Sequence, residues 1–190
     1  MKVSALSSLI IFGFPAITFA TESDSPEKAF VGYKSAILSQ DGKAAVSYVT
    51  EETLKEYQNY IDWALRADRV ELETLSFFNR FQVILIKHRV PSSKLKTMNG
   101  RELFSYAVDQ DWIGKSGVIP LNVANFEIAD NRAVSDAFSS GQKLPLKLQY
   151  RIENGAWKFD LVQMMKIAGR SGAKSGHSQP SAERNRTTCL

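Results

Sequence analysis

The chain has 190 residues, of which 24 are Lys or Arg and 20 are Asp or Glu, giving a formal charge of +4. Its 44% hydrophobic and 23% charged residues are ordinary globular values and exclude a wholly disordered, collagen-like or multi-span membrane chain. The length suits one domain with short appendages.

The chain opens Met1-Lys2, runs through an apolar stretch from Leu9 to Phe19, and reaches Thr18-Phe19-Ala20 before the polar Thr21-Glu22-Ser23-Asp24. One cation, an apolar segment too short to span a bilayer, and small residues at both positions of a cleavage site predict a secretory signal peptide over 1–20. Cleavage after Ala20 would leave a periplasmic or secreted protein with no transmembrane span.

Residues 169–190 are rich in Gly, Ser, Arg and Lys and lack an apolar period, which predicts a disordered basic tail. Arg170, Lys174, Arg184 and Arg186 against Glu183 give that tail +3, and with Lys2 at the other end residues 21–168 net to zero. The basicity belongs to the ends, which argues against a domain that binds nucleic acid specifically. Cys189, the lone cysteine, lies in the tail with only Leu190 after it, so the domain holds neither disulfide nor thiolate metal site, and no prenylation box is formed. His88 and His177 are the only histidines. A zinc site built on several imidazoles is excluded, and no metal or cofactor is expected.

The domain, residues 21–168, begins with a helical pattern. Ser25 suits an N-cap and Pro26 a first helical position, with Phe30, Tyr33, Ile37 and Leu38 at helical spacing. Asp41-Gly42 ends that helix. Thr50-Glu51-Glu52 opens another, whose buried stripe is Leu54, Tyr57, Ile61, Ala64 and Leu65 and whose wet side carries the i,i+4 pairs Glu51/Lys55 and Asp62/Arg66. Phe81 to Ile86 would suit a buried strand or a buried helix, and Leu72 to Arg89 is read as helix: Leu75, Phe78, Phe81/Gln82 and Leu85 continue a stripe, and Lys87, His88 and Arg89 before Pro91 suit a helix C-terminus. Asn99-Gly100-Arg101-Glu102 has the form of a capping box.

After Gly114 the period changes to two. Strands are predicted over 122–128 and 132–139 with Asp130-Asn131 between them, which sets Asn125 opposite Asp136. A hairpin follows: Leu144, Leu146, Leu148, Tyr150 and Ile152 alternate with polar residues, and Asn154-Gly155 turns the chain into Trp157-Lys158-Phe159-Asp160-Leu161. With Asn154 and Gly155 as the loop, Ile152 faces Trp157, Tyr150 faces Phe159 and Leu148 faces Leu161. The fold class is α+β, with N-terminal helices on a sheet of roughly four antiparallel strands.

This order, an amphipathic helix opening Ser25-Pro26-Glu27-Lys28-Ala29, an Asp-Gly break, further helices and a meander ending Glu153-Asn154-Gly155-Ala156-Trp157-Lys158-Phe159-Asp160-Leu161, resembles the nuclear-transport-factor-2-like superfamily over about residues 25–168. The helical material between Leu72 and Ile113 is longer than in the minimal fold. The resemblance implies helices packed on the concave face of a curved sheet and a pocket at the wide end of a cone. Some members are ketosteroid isomerases or polyketide cyclases and others only bind ligands or partners, so fold alone does not choose the function.

The isomerase type uses a pocket carboxylate as base. Asp160 falls on the polar side of its strand, opposite Gln149 and among Lys147, Arg151 and Lys158, where a surface carboxylate makes a poor base. Asp136 is the better pocket candidate, and His88 at a helix end is most simply a cation matched to the helix dipole. Tyr33, Tyr57, Tyr60, Trp63 and Trp112 would give a pocket amphipathic walls. No phosphate-binding glycine loop, nucleophile elbow, His-Glu-x-x-His motif or internal repeat is present.

The expectation is an exported, non-catalytic module that binds a small apolar ligand or an envelope partner protein through Tyr33, Tyr60, Trp63, Trp112 and Asp136. The alternatives are an isomerase or cyclase using Asp136 or His88, and an assembly component of an envelope or secretion complex. Lys147, Arg151 and Lys158 on the outer sheet face point to a monomer or weak homodimer.

Overall fold

Ser25 opens the first helix as its capping pattern predicts. In the computed structural model, which describes residues 23–113 and 115–174, its side chain accepts the Lys28 N–H at 3.2 Å and Pro26 begins α1 (Pro26–Ser39). The expected signal peptide, and the expected tail beyond Lys174, lie outside the described residues. Asp41 caps α2 (Gly42–Ser47) and Thr50 caps α3 (Glu51–Arg66). Leu54, Tyr57, Ile61 and Ala64 of α3 are buried on the expected stripe.

The segment expected to form one helix over 72–89 is divided. α4 (Arg69–Thr74) stops where Leu75 turns extended, and α5 (Phe77–Arg89) starts afresh because the Ser76 hydroxyl accepts the Asn79 N–H at 3.2 Å. A serine cap thus interrupts a continuous apolar period, while Phe81 to Ile86 are helical as expected. Pro91 leads into α6 (Ser92–Leu95). The capping box forms at the start of α7 (Gly100–Asp109), with Asn99 and Glu102 bonding each other's backbone.

Gly100 also explains how α7 reaches α3. A Cβ at this position would stand 2.2 Å from the Leu54 carbonyl oxygen, so only glycine permits the approach. The same approach redirects an expected pair: Glu51 meets Arg101 of α7 rather than Lys55, whereas Asp62 and Arg66 do pair, at 3.8 Å.

Past the short α8 (Lys115–Val118), β1 (Leu121–Ala129), β2 (Arg132–Ser139), β3 (Gln142–Glu153) and β4 (Ala156–Asp160) form an antiparallel meander in the order β1-β2-β3-β4. The last hairpin has the register read from its turn: Ile152 opposite Trp157, Tyr150 opposite Phe159, Gln149 opposite Asp160. Asn154 and Gly155 both take positive φ, 53° and 80°, as a two-residue Asn-Gly loop requires. Leu161 has left the strand, so the Leu148–Leu161 pairing does not form.

Irregularities break the ladder between Ala124 and Glu127 and between Asp136 and Phe138. Bulges bend and twist a sheet, and this sheet is curved and open, with helices packed on its concave face. The free edge of β4 is covered: Trp157 N–H donates to Ser23 O at 2.9 Å, Phe159 N–H to Tyr48 O at 2.7 Å, and Thr50 N–H to Phe159 O at 3.1 Å. Such cover removes a template for edge-to-edge association.

The chain then forms α9 (Val162–Lys174), which sequence reasoning did not assign. The segment expected to begin the tail at Gly169 instead carries the helix on to Lys174. Among the described residues no helix is long and apolar enough to cross a membrane.

Candidate functional site

An apolar cleft of about 320 Å³ opens where α1, α3, α5, α8, β1, β4 and α9 converge. Tyr33 enters from α1, Tyr57 from α3, Phe78 and Gln82 from α5, and Trp112 from the turn after α7. Phe159 forms part of the sheet wall, and Met164, Met165 and Ala168 of α9 lie across it. The volume sits at the lower end of ordinary ligand pockets, and mostly apolar walls with few polar groups are their usual chemistry.

The walls are braced by ring contacts. Tyr33 and Phe30 meet Phe159 edge-on at 5.1 and 5.7 Å between centroids. Tyr57 meets Phe104 at 5.0 Å, and Trp112 is set against Tyr106 at 5.3 Å with the Arg89 guanidinium over its ring at 5.4 Å. Edge-to-face rings and a cation over an indole hold orientation beyond what burial alone gives.

Burial pushes the phenols of Tyr33 and Tyr57 well up, with Tyr57 adding to the effect on Tyr33. Both stay neutral at physiological pH and keep a proton to donate. Gln82 is the other polar side chain on the wall.

A second chamber of about 290 Å³ adjoins the cleft and shares Met165 with it. Most of its lining side chains carry polar groups, Glu56, Tyr60, Ser76, Asn79 and Lys166, and Val162 and Gly169 close it. The Tyr60 hydroxyl reaches Asn79 Oδ1 at 3.4 Å and Met165 Sδ at 3.8 Å. The α9 backbone comes close here, since a Cβ on Gly169 would stand 3.0 Å from Ser76 Oγ.

Of the residues singled out in the sequence, Tyr33 and Trp112 line the cleft and Tyr60 lines the second chamber. Trp63 lines neither and packs on Tyr60, with centroids 6.0 Å apart. Asp136 is on the other face of the sheet. Its neighbour Ser135 points inward, its hydroxyl 3.1 Å from that of the buried Tyr150, and successive strand residues alternate faces.

The ladder sets Ala124, not Asn125, opposite Asp136, because the bulge puts Asn125 at a φ of 55°. The Asn125 amide nevertheless donates to Asp136 Oδ2 at 2.9 Å, and Lys143 Nζ reaches the same oxygen at 2.7 Å. Those two donors, Lys143 foremost, hold the carboxyl below its ordinary value. An ionised, paired carboxylate outside the cleft is not placed to move a ligand's proton.

Asp160 corrects a second expectation. It pairs with Arg151, but it is buried rather than on the surface. His88 stands exposed in the last turn of α5. No group of three or more His, Cys, Asp or Glu able to hold a metal occurs among the described residues.

Sequence reasoning missed Phe78, Gln82, Met164, Met165 and Ala168 as lining. A signal for Met165 and Ala168 was present, since Val162, Met165 and Ala168 recur at three-residue spacing just after Asp160. No protein-family model matches the chain, and no curated protein or solved structure matches it.

Proposed function

We propose that this chain is an exported, non-catalytic module that binds a small apolar ligand in the cleft beneath α9. The observation that carries it is the lining: five aromatic rings, two methionines and a few neutral polar groups around about 320 Å³. Methionine is adaptable and tolerates ligands of varied shape, while Tyr33, Tyr57 and Gln82 offer hydrogen bonds to one polar atom of the ligand. The helix-on-curved-sheet arrangement supports the nuclear-transport-factor-2-like resemblance as part of the same proposal. Export rests on the signal pattern of residues 1–20. Neither candidate proton-transfer group lines the cleft, so retention of a ligand is what this site supports best.

The test is native mass spectrometry of the protein from the exported fraction of its host, paired with titration by the neutral fluorophore N-phenylnaphthylamine. A retained small molecule, or saturable fluorophore uptake that Ala168→Phe abolishes while the fold is kept, supports ligand binding. A bare chain that takes up no fluorophore overturns it and moves weight to an envelope partner protein.

A further inference from the structure

Helix α5 is apolar on two faces. Val83 and Ile86 are buried against the domain, and Phe78 and Gln82 line the cleft. On the opposite side Phe77, Phe81 and Ile84 are 54%, 49% and 54% exposed. Positions 77, 81, 84 and 88 follow the three-and-four spacing of one helical stripe, and His88 completes it on the exposed surface. The Phe77 and Phe81 rings stack on each other in the open, with centroids 6.3 Å apart and planes 12° from parallel. Large apolar side chains gathered in one exposed patch mark an interaction surface, whereas scattered ones do not.

The charge carried by α5 itself is of one sign. Arg80 and Lys87 flank the stripe on one side and α5 contains no Asp or Glu, while Arg89 turns away to lie over Trp112. The acidic residues nearest in sequence, Glu71 and Glu73, belong to α4, where Glu73 is paired with Arg69 at 2.9 Å. Aromatic and aliphatic anchors flanked by cations are the composition of a helix that lies in a lipid headgroup layer. A protein partner with an apolar groove would satisfy Phe77, Phe81 and Ile84 without calling on the cations. An anionic bilayer uses both sets at once. With 13 residues, α5 is about 20 Å long, enough to lie along the surface and too short to cross it.

We propose that the exposed face of α5 docks the protein on an anionic lipid surface, with Phe77, Phe81 and Ile84 inserted among the headgroups and Arg80 and Lys87 against their phosphates. Docked this way, the helix that borders the cleft through Phe78 and Gln82 would lie at the bilayer.

The experiment is flotation of the full processed chain with vesicles of phosphatidylglycerol and phosphatidylcholine, and with phosphatidylcholine alone. Binding is expected only to the anionic vesicles and is expected to weaken as salt rises. Arg80→Gln and Lys87→Gln should each cost about five-fold in partitioning. The double change Phe77→Ser with Phe81→Ser should cost about ten-fold or more. Both rings are exposed, so circular dichroism should show the fold unchanged, and the charge of the C-terminal segment is identical in every variant. Absence of anionic-vesicle binding overturns the proposal, as does binding that the phenylalanine changes leave intact. Sedimentation showing a lipid-free dimer that the same changes dissociate also overturns it, because the face would then join two copies of the chain.

Discussion

Asp160 ties the end of β4 to two other elements: its Oδ2 pairs with Arg151 of β3 at 2.9 Å, and its Oδ1 accepts the Val162 N–H at the start of α9, also at 2.9 Å. The Asp160 side chain is 2% exposed and that of Arg151 34%, with Glu52 a second partner for the guanidinium at 3.0 Å. Asp160→Ala removes both bonds and should destabilise the fold by about 2–3 kcal/mol, below the cost of breaking a fully buried pair because Arg151 keeps water and Glu52. Asp160→Asn keeps an oxygen for the Val162 N–H and should cost about 1–2 kcal/mol. Urea unfolding of the two variants checks this; equal costs would mean that the bond to α9 contributes nothing.

Gly100 makes an opposite use of chemistry, through an atom it lacks. Alanine is the better helix former by about 1 kcal/mol, yet its methyl would collide with the Leu54 carbonyl and with Gln58 N, 2.7 Å away. Forcing α7 off α3 should make Gly100→Ala destabilising by about 2 kcal/mol net. Gly117→Ala is the control, since nothing lies within 4 Å of its added Cβ. That change should stay within about 0.5 kcal/mol of the parent, and matching effects at the two positions in thermal unfolding would contradict the steric account.

How far these features were legible depends on whether local chemistry or tertiary placement decides them. The last hairpin was readable residue by residue, because Asn154-Gly155 fixes a two-residue loop and the side-chain period of two then sets every pairing. The helix starts at Ser25, Thr50 and Asn99 were equally local, whereas Asp41 was read only as the end of the first helix and not as the cap of α2. The break at Ser76 and the existence of α9 were not read, although a serine cap stood within the first and an apolar period within the second. In α9 the glycine- and serine-rich continuation masked that period.

The burial of Asp160 illustrates the other limit. Alternation put it on the polar face of β4, but only the fold shows that Arg151 and the start of α9 cover that spot. The site was half legible for the same reason. Tyr33 and Trp112 stand out as aromatics in any reading, whereas Phe78 and Gln82 line the cleft only because of the way α5 is turned. The partner expected for Asp136 was misplaced by a bulge, which shifts the ladder by a residue without any change in hydrophobic pattern, while its face follows from the inward Ser135 beside it.

The Asp136–Lys143 pair has a defined pH dependence. Lys143 and Asn125 lower the folded-state value of Asp136 beneath its ordinary 3.8. A group depressed in the folded state stabilises the protein above its unfolded value, and that contribution disappears as pH falls through the folded one. The stability difference between the parent and Asp136→Asn should therefore be constant from pH 5 to 7 and close below about pH 4. Urea midpoints collected across that range measure it. A difference that persists unchanged to pH 2 would show that the ionised pair is not its source.

At the alkaline end the buried tyrosines set the behaviour. Burial raises the phenols of Tyr33, Tyr57, Tyr60 and Tyr150 far above the ordinary 10.0. Between the unfolded and folded values the native state holds a proton that the unfolded state has lost, so stability falls as pH rises past 10. Each such phenol contributes a slope of about 1.4 kcal/mol per pH unit. Tyr33→Phe should reduce the overall slope by that amount above pH 10 and leave it untouched below pH 9. Because Tyr33 and Tyr57 stay protonated while the protein is folded, fluorophore affinity in the cleft should be flat from pH 7 to 9. An affinity that drops within that interval would mean that these hydroxyls are ionising, and hence are in contact with water rather than enclosed by the walls.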